Sequence, residues 1–202
     1  MHIPYHGTGG DLDFREIFDR HYFSNHHVEA KNLETMLERG FPGFECITYS
    51  SFPALLAAAL DELCDDGARV CVTWDDQRLG SINAFFRATG RQEIIAWNEQ
   101  ARAGIDALKQ KSVPGLAQYI HGALMKGDEV LGAFMDFSGC SSLLVSAGVF
   151  ATANPPLAEK LRWSRSSYGR RAPASIKLAA NGRFSEFQAH LLNAVLDEAE
   201  RG

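Results

Sequence analysis

Short apolar runs alternate with stretches of helical period through most of this chain, and that rhythm constrains the fold more than any other feature. Residues 45–49 (ECITY), 69–74 (RVCVTW), 93–97 (EIIAW), 129–137 (EVLGAFMDF) and 147–152 (AGVFAT) are short, apolar and rich in β-branched or aromatic residues, which is the pattern of buried strands. Between and around them lie helical periods. Residues 28–39 place Val28, Leu33, Met36 and Leu37 on one face and stop at Gly40. Residues 54–64 form an Ala/Leu-rich helix opened by Ser50, Ser51 and Pro53, a serine cap with proline in the first turn. Residues 77–89, 99–110, 113–125, 156–164 and 184–201 also read as helices, with a short one over 13–20. Strands alternating with helices at this spacing imply parallel strands joined by crossover helices. The expected fold is therefore α/β, a three-layer sandwich with a mostly parallel sheet, in a single domain over residues 1–202.

Composition narrows the class. With 46% hydrophobic and 22% charged residues, a chain of this length buries a core without help from metals or disulfides. A net charge of −5 argues against a nucleic-acid partner. No apolar run approaches the ~20 residues of a membrane span, and the opening MHIPYHGTGGDLDF is too polar for a secretory signal. Cys46, Cys64, Cys71 and Cys140 include no CxxC pair. They read as free thiols in a reducing cytoplasm, with a Cys64–Cys71 disulfide as the alternative.

Residue chemistry alone singles out several candidate sites, each with a plain structural counterpart. His2, His6, His21, His26 and His27 crowd the first 27 residues, but their spacing matches no zinc pattern and they read as surface or capping residues. The HGTGG stretch at residues 6–10 follows no strand, so it reads as a loop and not a dinucleotide fingerprint. Asp75 and Asp76 follow a strand end, where ligands of open α/β sheets bind. They suit metal or general-base work, or else a cap on the next helix. Lys160, Arg162, Arg165, Arg170 and Arg171 form a basic run suited to a phosphorylated ligand or an acidic partner, or simply a solvated face. Residues 164–175 read as a loop.

Three stretches together resemble the DegT/DnrJ-type sugar aminotransferases, PLP-dependent enzymes of fold type I. They are HHVEAKNLETMLERGFPGFECITYSSFPALLAAALDEL, ARVCVTW followed by INAFFRATGRQEIIAW, and AGVFATANPPLAEKLRWSRSSYGRR followed by NGRFSEFQAHLLNAVL. They cover roughly two thirds of the chain. The third, similar to the family's "GG-x-v-x-T" strand and "LAEKLR" helix, is the most specific, and residues 99–126 match poorly. The resemblance implies the large domain of that fold, a PLP site, and a dimer or a complex with a related subunit. It assigns Ser50 and Ser51 to the turn that holds the cofactor phosphate. Asp136 becomes the carboxylate that pairs with the pyridine nitrogen, and Asn181 a residue that helps complete the neighbouring subunit's site.

The departures from the family carry equal weight. Its Ser-Gly-Thr phosphate turn here reads Ser51-Phe52-Pro53: phenylalanine adds bulk and proline removes an N–H. Its catalytic lysine should fall between Asp136 and the counterpart of the Gly-Gly strand at Ala147–Gly148. That interval reads FSGCSSLLVS and contains neither lysine nor the histidine that some relatives use instead. The family's C-terminal small domain has no counterpart before the sequence ends. The expectation is a non-catalytic homologue, binding a ligand or partner and needing no PLP. The alternatives are an aminotransferase or dehydratase completed by another chain, and a small-molecule-binding α/β module unrelated to PLP.

Overall fold

The computed structural model describes residues 2–4, 11–13, 28–96, 98–138, 146–165, 182 and 184–201. A small antiparallel pair, β1 (His2–Pro4) and β2 (Asp11–Asp13), stands apart from the main sheet. The body then runs α1 (Val28–Gly40), β3 (Glu45–Tyr49), α2 (Phe52–Glu62), a 3-10 turn at Cys64–Asp66, β4 (Arg69–Val72), α3 (Asp76–Ala88), β5 (Ile95–Ala96), α4 (Glu99–Lys111), α5 (Pro114–Ala117), β6 (Ile120–Lys126), β7 (Glu129–Asp136), β8 (Gly148–Thr152), α6 (Pro155–Arg165) and α7 (Glu186–Arg201). Of the helix expected over 13–20, Asp13 ends β2 and the rest lies outside the described residues, as do the HGTGG loop and most of the loop over 164–175.

The sheet corrects the expected mostly parallel arrangement. Its order is β3-β8-β7-β6-β4-β5. Only β4–β5 pair in parallel, while β3–β8, β8–β7, β7–β6 and β6–β4 are antiparallel. One connection accounts for the central pairing. Strands β6 and β7 are joined by a two-residue turn, with Lys126 opposite Glu129 and Gly127 at φ +60°, the left-handed conformation such hairpin turns demand. A parallel crossover needs a dozen or more residues and normally a helix. The helix expected over 113–125 is also corrected beyond Ala117. Residues 120–126 form β6 instead, where Gly122 admits the close approach of β4: a Cβ there would sit 2.8 Å from the Cys71 carbonyl oxygen.

Helices cover both faces of the sheet, as the strand alternation shows. Cys46, Cys71, Ala123, Met135 and Val149 face α1, α4, α5 and α7. Their neighbours Ile47, Val70, Val72, Leu124, Phe134 and Phe150 face α2, α3 and α6. Each fully buried Leu, Ile or Phe in these layers contributes about 1.5–3 kcal/mol of transfer free energy.

Strand β3 is an edge, and α1 shields it. Glu34 and Glu38 sit one helical turn apart, a spacing close to that of two outward amides on a strand. The Cys46 N–H donates to Glu38 Oε1 at 3.1 Å and the Thr48 N–H to Glu34 Oε1 at 2.9 Å. The next outward amide, Ser50, donates to the Gly182 carbonyl at 3.0 Å. With its donors taken, the edge offers little to a foreign strand.

Candidate functional site

Although most pairings are antiparallel, β3, β4, β5 and β7 all run the same way, with β6 and β8 against them. The carboxyl ends of four strands therefore gather at one end of the sheet, where ligands of open α/β sheets bind. Tyr49 pairs with Gly148, and Gly148 with Asp136, so the ends of β3 and β7 flank the start of β8. Ser50 and Ser51 leave from the first of these ends, Asp136 closes the second, and Thr73 to Asp75 extend from β4. Sequence order separates these residues by up to about ninety positions; the sheet brings them to one end.

The turn after β3 is built as core. Phe52 is fully buried and makes edge-on ring contacts with Trp74 at 5.4 Å and Phe134 at 6.4 Å between centroids. Ser51 caps α2: its Oγ accepts the Ala54 N–H at 3.3 Å, and its carbonyl accepts the Leu55 N–H at 3.1 Å. Pro53 has no N–H to give. A phosphate at a helix N-terminus needs a set of free first-turn amides and room for close approach. Here the Ala54 N–H is taken by the Ser51 hydroxyl, Pro53 has none, and the Leu55 N–H is already in the helix's own bond to the Ser51 carbonyl. The Phe52 N–H lies against Gly148, where a Cβ would come within 3.0 Å of that nitrogen and 2.7 Å of the Phe52 Cα. The residues of this turn do not fit the phosphate of PLP, and no step through that cofactor follows from them.

Asp136 lies on the same face of β7 as Phe134, towards α2 and α3. It is only 8% exposed. Its Oδ1 accepts the Ser138 N–H at 2.9 Å, and its Oδ2 stands 3.5 Å from Nη2 of Arg78. The Arg78 guanidinium also lies over the Trp74 ring, 4.3 Å from its centroid. The carboxylate that the resemblance assigns to a pyridinium thus faces a guanidinium from its own chain. His121 stands nearby: its carbonyl accepts from the Thr73 N–H and Oγ at 2.9 and 3.2 Å. Burial pushes the His121 imidazole below its ordinary pKa, opposed by the Asp136 carboxylate and reinforced by Lys109 and Arg78.

The other candidates resolve unevenly. Asp75 caps α3 through the Arg78 N–H at 2.8 Å, and Asp75 and Asp76 are both exposed. No cluster of three or more His, Cys, Asp or Glu able to hold a metal occurs among the described residues. The basic run is spent on carboxylates of its own chain: Lys160 on Asp66 at 3.1 Å, Arg162 on Glu45, and Arg165 on Glu34 at 2.6 Å. Arg170, Arg171, Asn181, Cys140 and the HYFSNHH histidines lie outside the described residues. Cys46, Cys64 and Cys71 are free and buried. Burial drives the Cys46 thiol pKa far up and raises that of Cys64 to about 12, so both are inert as nucleophiles. An apolar hollow of about 570 Å³ lies on the other side of the sheet, bordered by Leu37, Leu116, Tyr119 and Leu196.

Sequence reasoning missed Trp74, Arg78 and His121. Trp74 and Arg78 each sit within four residues of Asp75, so the strand-end rule that drew attention to Asp75 pointed at the right loop and the wrong side chains. No helix among the described residues is long and apolar enough to cross a membrane. No protein-family model matches this chain, and no curated protein matches it either.

Proposed function

We propose that this protein is a non-catalytic homologue of the PLP-dependent nucleotide-sugar aminotransferases, acting as a binding or partner protein. The observation that carries this reading is the closed turn at Ser51-Phe52-Pro53, where the amides a cofactor phosphate would use are capped, absent or packed against Gly148. The sequence adds a second support, since no lysine stands between Asp136 and Gly148. Without that lysine the chain has no group there to hold the cofactor covalently or to move the substrate proton. Free, buried cysteines support a reducing compartment, the cytoplasm. The same reading has the chain working as a homodimer or beside a related, catalytically complete subunit.

The test is direct. PLP is titrated into the purified protein and the mixture is treated with borohydride. No cofactor absorption band and no reduced, modified lysine by mass spectrometry is the expected result. A band that borohydride bleaches while modifying a lysine would overturn the reading in favour of an active transferase. Light scattering at micromolar concentration tests the assembly, and a monomer would remove the dimeric part of the proposal.

The contact of Arg78 with Trp74 and Asp136 favours a second reading, a small-molecule-binding α/β module unrelated to PLP. Thermal-shift measurements against nucleotides, sugar phosphates and PLP separate it from the first, because specific binding stabilises by mass action.

A further inference from the structure

An aromatic face set beside a buried carboxylate is recognition chemistry for an organic cation, the ring supplying its quadrupole and the carboxylate its charge. Trp74 and Asp136 form such a pair, and the cation already on it is the chain's own Arg78. The guanidinium stacks 4.3 Å from the indole centroid and turns one nitrogen toward Asp136. It is held loosely: the nitrogen–oxygen separation of 3.5 Å is at the limit of a hydrogen bond, and the Arg78 side chain is 50% exposed while that of Asp136 is 8% exposed. The carboxylate is the fixed partner, anchored by the Ser138 N–H at 2.9 Å. Trp74, half-buried, packs at a steep angle against the fully buried Phe52. The displaceable member is the arginine, half-exposed at the first turn of α3.

We propose that Trp74 and Asp136 form a binding site for planar organic cations of the guanidinium and amidinium class, and that Arg78 is its internal occupant, competing with any such ligand. Two packed walls and one displaceable cation make the site self-blocked. A ligand carrying a planar cation gains the indole face and the carboxylate only after Arg78 swings into solvent. Its affinity is lowered by the fraction of time the arginine is in place. Arg78 also keeps the buried carboxylate compensated while no ligand is present, which a buried charge requires. The proposal deepens the binding role given above, but it rests on these three side chains and not on descent from aminotransferases. The PLP titration can fail or succeed without changing it.

The test uses methylguanidinium chloride as probe, with sodium chloride at matched ionic strength as control, read by thermal shift and by titration calorimetry on the full chain. Arg78→Ala is expected to bind methylguanidinium about tenfold or more tighter than the wild type, a difference of about 1.4 kcal/mol. It should also regain on binding part of the thermal stability lost with the arginine. Methylammonium, which cannot stack flat or offer two parallel N–H donors, should bind and stabilise less than methylguanidinium. Adding Asp136→Asn or Trp74→Leu to Arg78→Ala should abolish the gain. Arg78→Ser carries the same test should the alanine variant not fold. A folded Arg78 variant that binds methylguanidinium no better than wild type overturns the proposal, as does binding that survives Asp136→Asn.

Discussion

Replacing Phe52 by alanine asks whether the altered turn is a vacant cofactor pocket or a piece of core. If the phenylalanine merely fills space left by a lost phosphate, cutting it back should cost little and reopen the space. The structure argues otherwise. The ring is fully buried and contacts Trp74 and Phe134 edge-on. Leu55, Leu56 and Phe150 belong to the same apolar layer. Truncating a phenylalanine in such a layer costs about 3–5 kcal/mol, the lost transfer energy plus the cavity left behind. At about 2–4 °C per kcal/mol for a domain of this size, the midpoint should fall by about 6–20 °C. Phe52→Leu, which keeps most of the volume, should cost less than about 1.5 kcal/mol. Paired thermal and urea unfolding, followed by circular dichroism, measures both. Neither variant should gain affinity for phosphate or PLP, because Pro53 still lacks an N–H and Ser51 still caps Ala54. A loss under about 1 kcal/mol for Phe52→Ala, or the appearance of PLP binding, would refute the reasoning.

Three further perturbations test separate parts of the structure. Glu34→Ala strips acceptors from the Thr48 N–H, the Thr48 Oγ–H and Arg165 together, at 2.9, 2.9 and 2.6 Å. It should destabilise by about 2–3 kcal/mol, more than Glu38→Ala in parallel urea melts. It should also raise the tendency to associate through the bared β3 edge, seen by light scattering. Gly148→Ala would set a Cβ 2.7 Å from the Phe52 Cα and 2.9 Å from the Ser51 carbonyl oxygen. Both neighbours are backbone, so a loss of about 1–3 kcal/mol is expected from overpacking, and an unchanged melting point would place the turn elsewhere. For His121 the sign follows from burial. The folded-state pKa is lowered from 6.5, so the unfolded chain takes up the proton first. Stability is unaffected above that range, falls as pH drops through 6.5, and stops falling below the folded-state pKa. His121→Gln should flatten the stability profile on the acid side of pH 6.5, measured by urea unfolding at a series of pH values.

Local patterns were legible wherever one short segment decided the outcome. The strands expected over 45–49 and 69–74 and the helices after them stand within two residues of where alternation, serine capping and proline placed them. Residues 120–126 were not legible, because IHGALMK carries apolar residues at spacings that suit a helix as well as a strand. Only its neighbours decide: β4 on one side and β7 on the other, with Gly122 giving β4 room. Gly127-Asp128, between Lys126 and Glu129, suits a two-residue hairpin turn, but that signal has meaning only once 120–126 is a strand.

Strand direction and site membership share one physical cause of illegibility. Apolar alternation says that a segment is buried; it says nothing of which way the segment runs, and only connection length constrains that. The mostly parallel sheet was inferred from helices between strands. But β6 and β7 are joined by a tight turn, and β6 returns antiparallel to β4 although α4 and α5 stand between β5 and β6. The end of the sheet survived that error because β3, β4, β5 and β7 still point the same way. Asp136 and Ser51 therefore reach a common end under either topology. What surrounds them there depended on tertiary packing alone. Arg78 lies 58 positions from Asp136 in sequence, on a helix that begins one residue before the expected Gln77. No local pattern could say that its guanidinium leaves the solvent face to lie on Trp74. A buried carboxylate predicted from sequence therefore specifies a demand for positive charge. The packing around it decides whether a ligand or the chain itself meets that demand, and here it is Arg78 that does so.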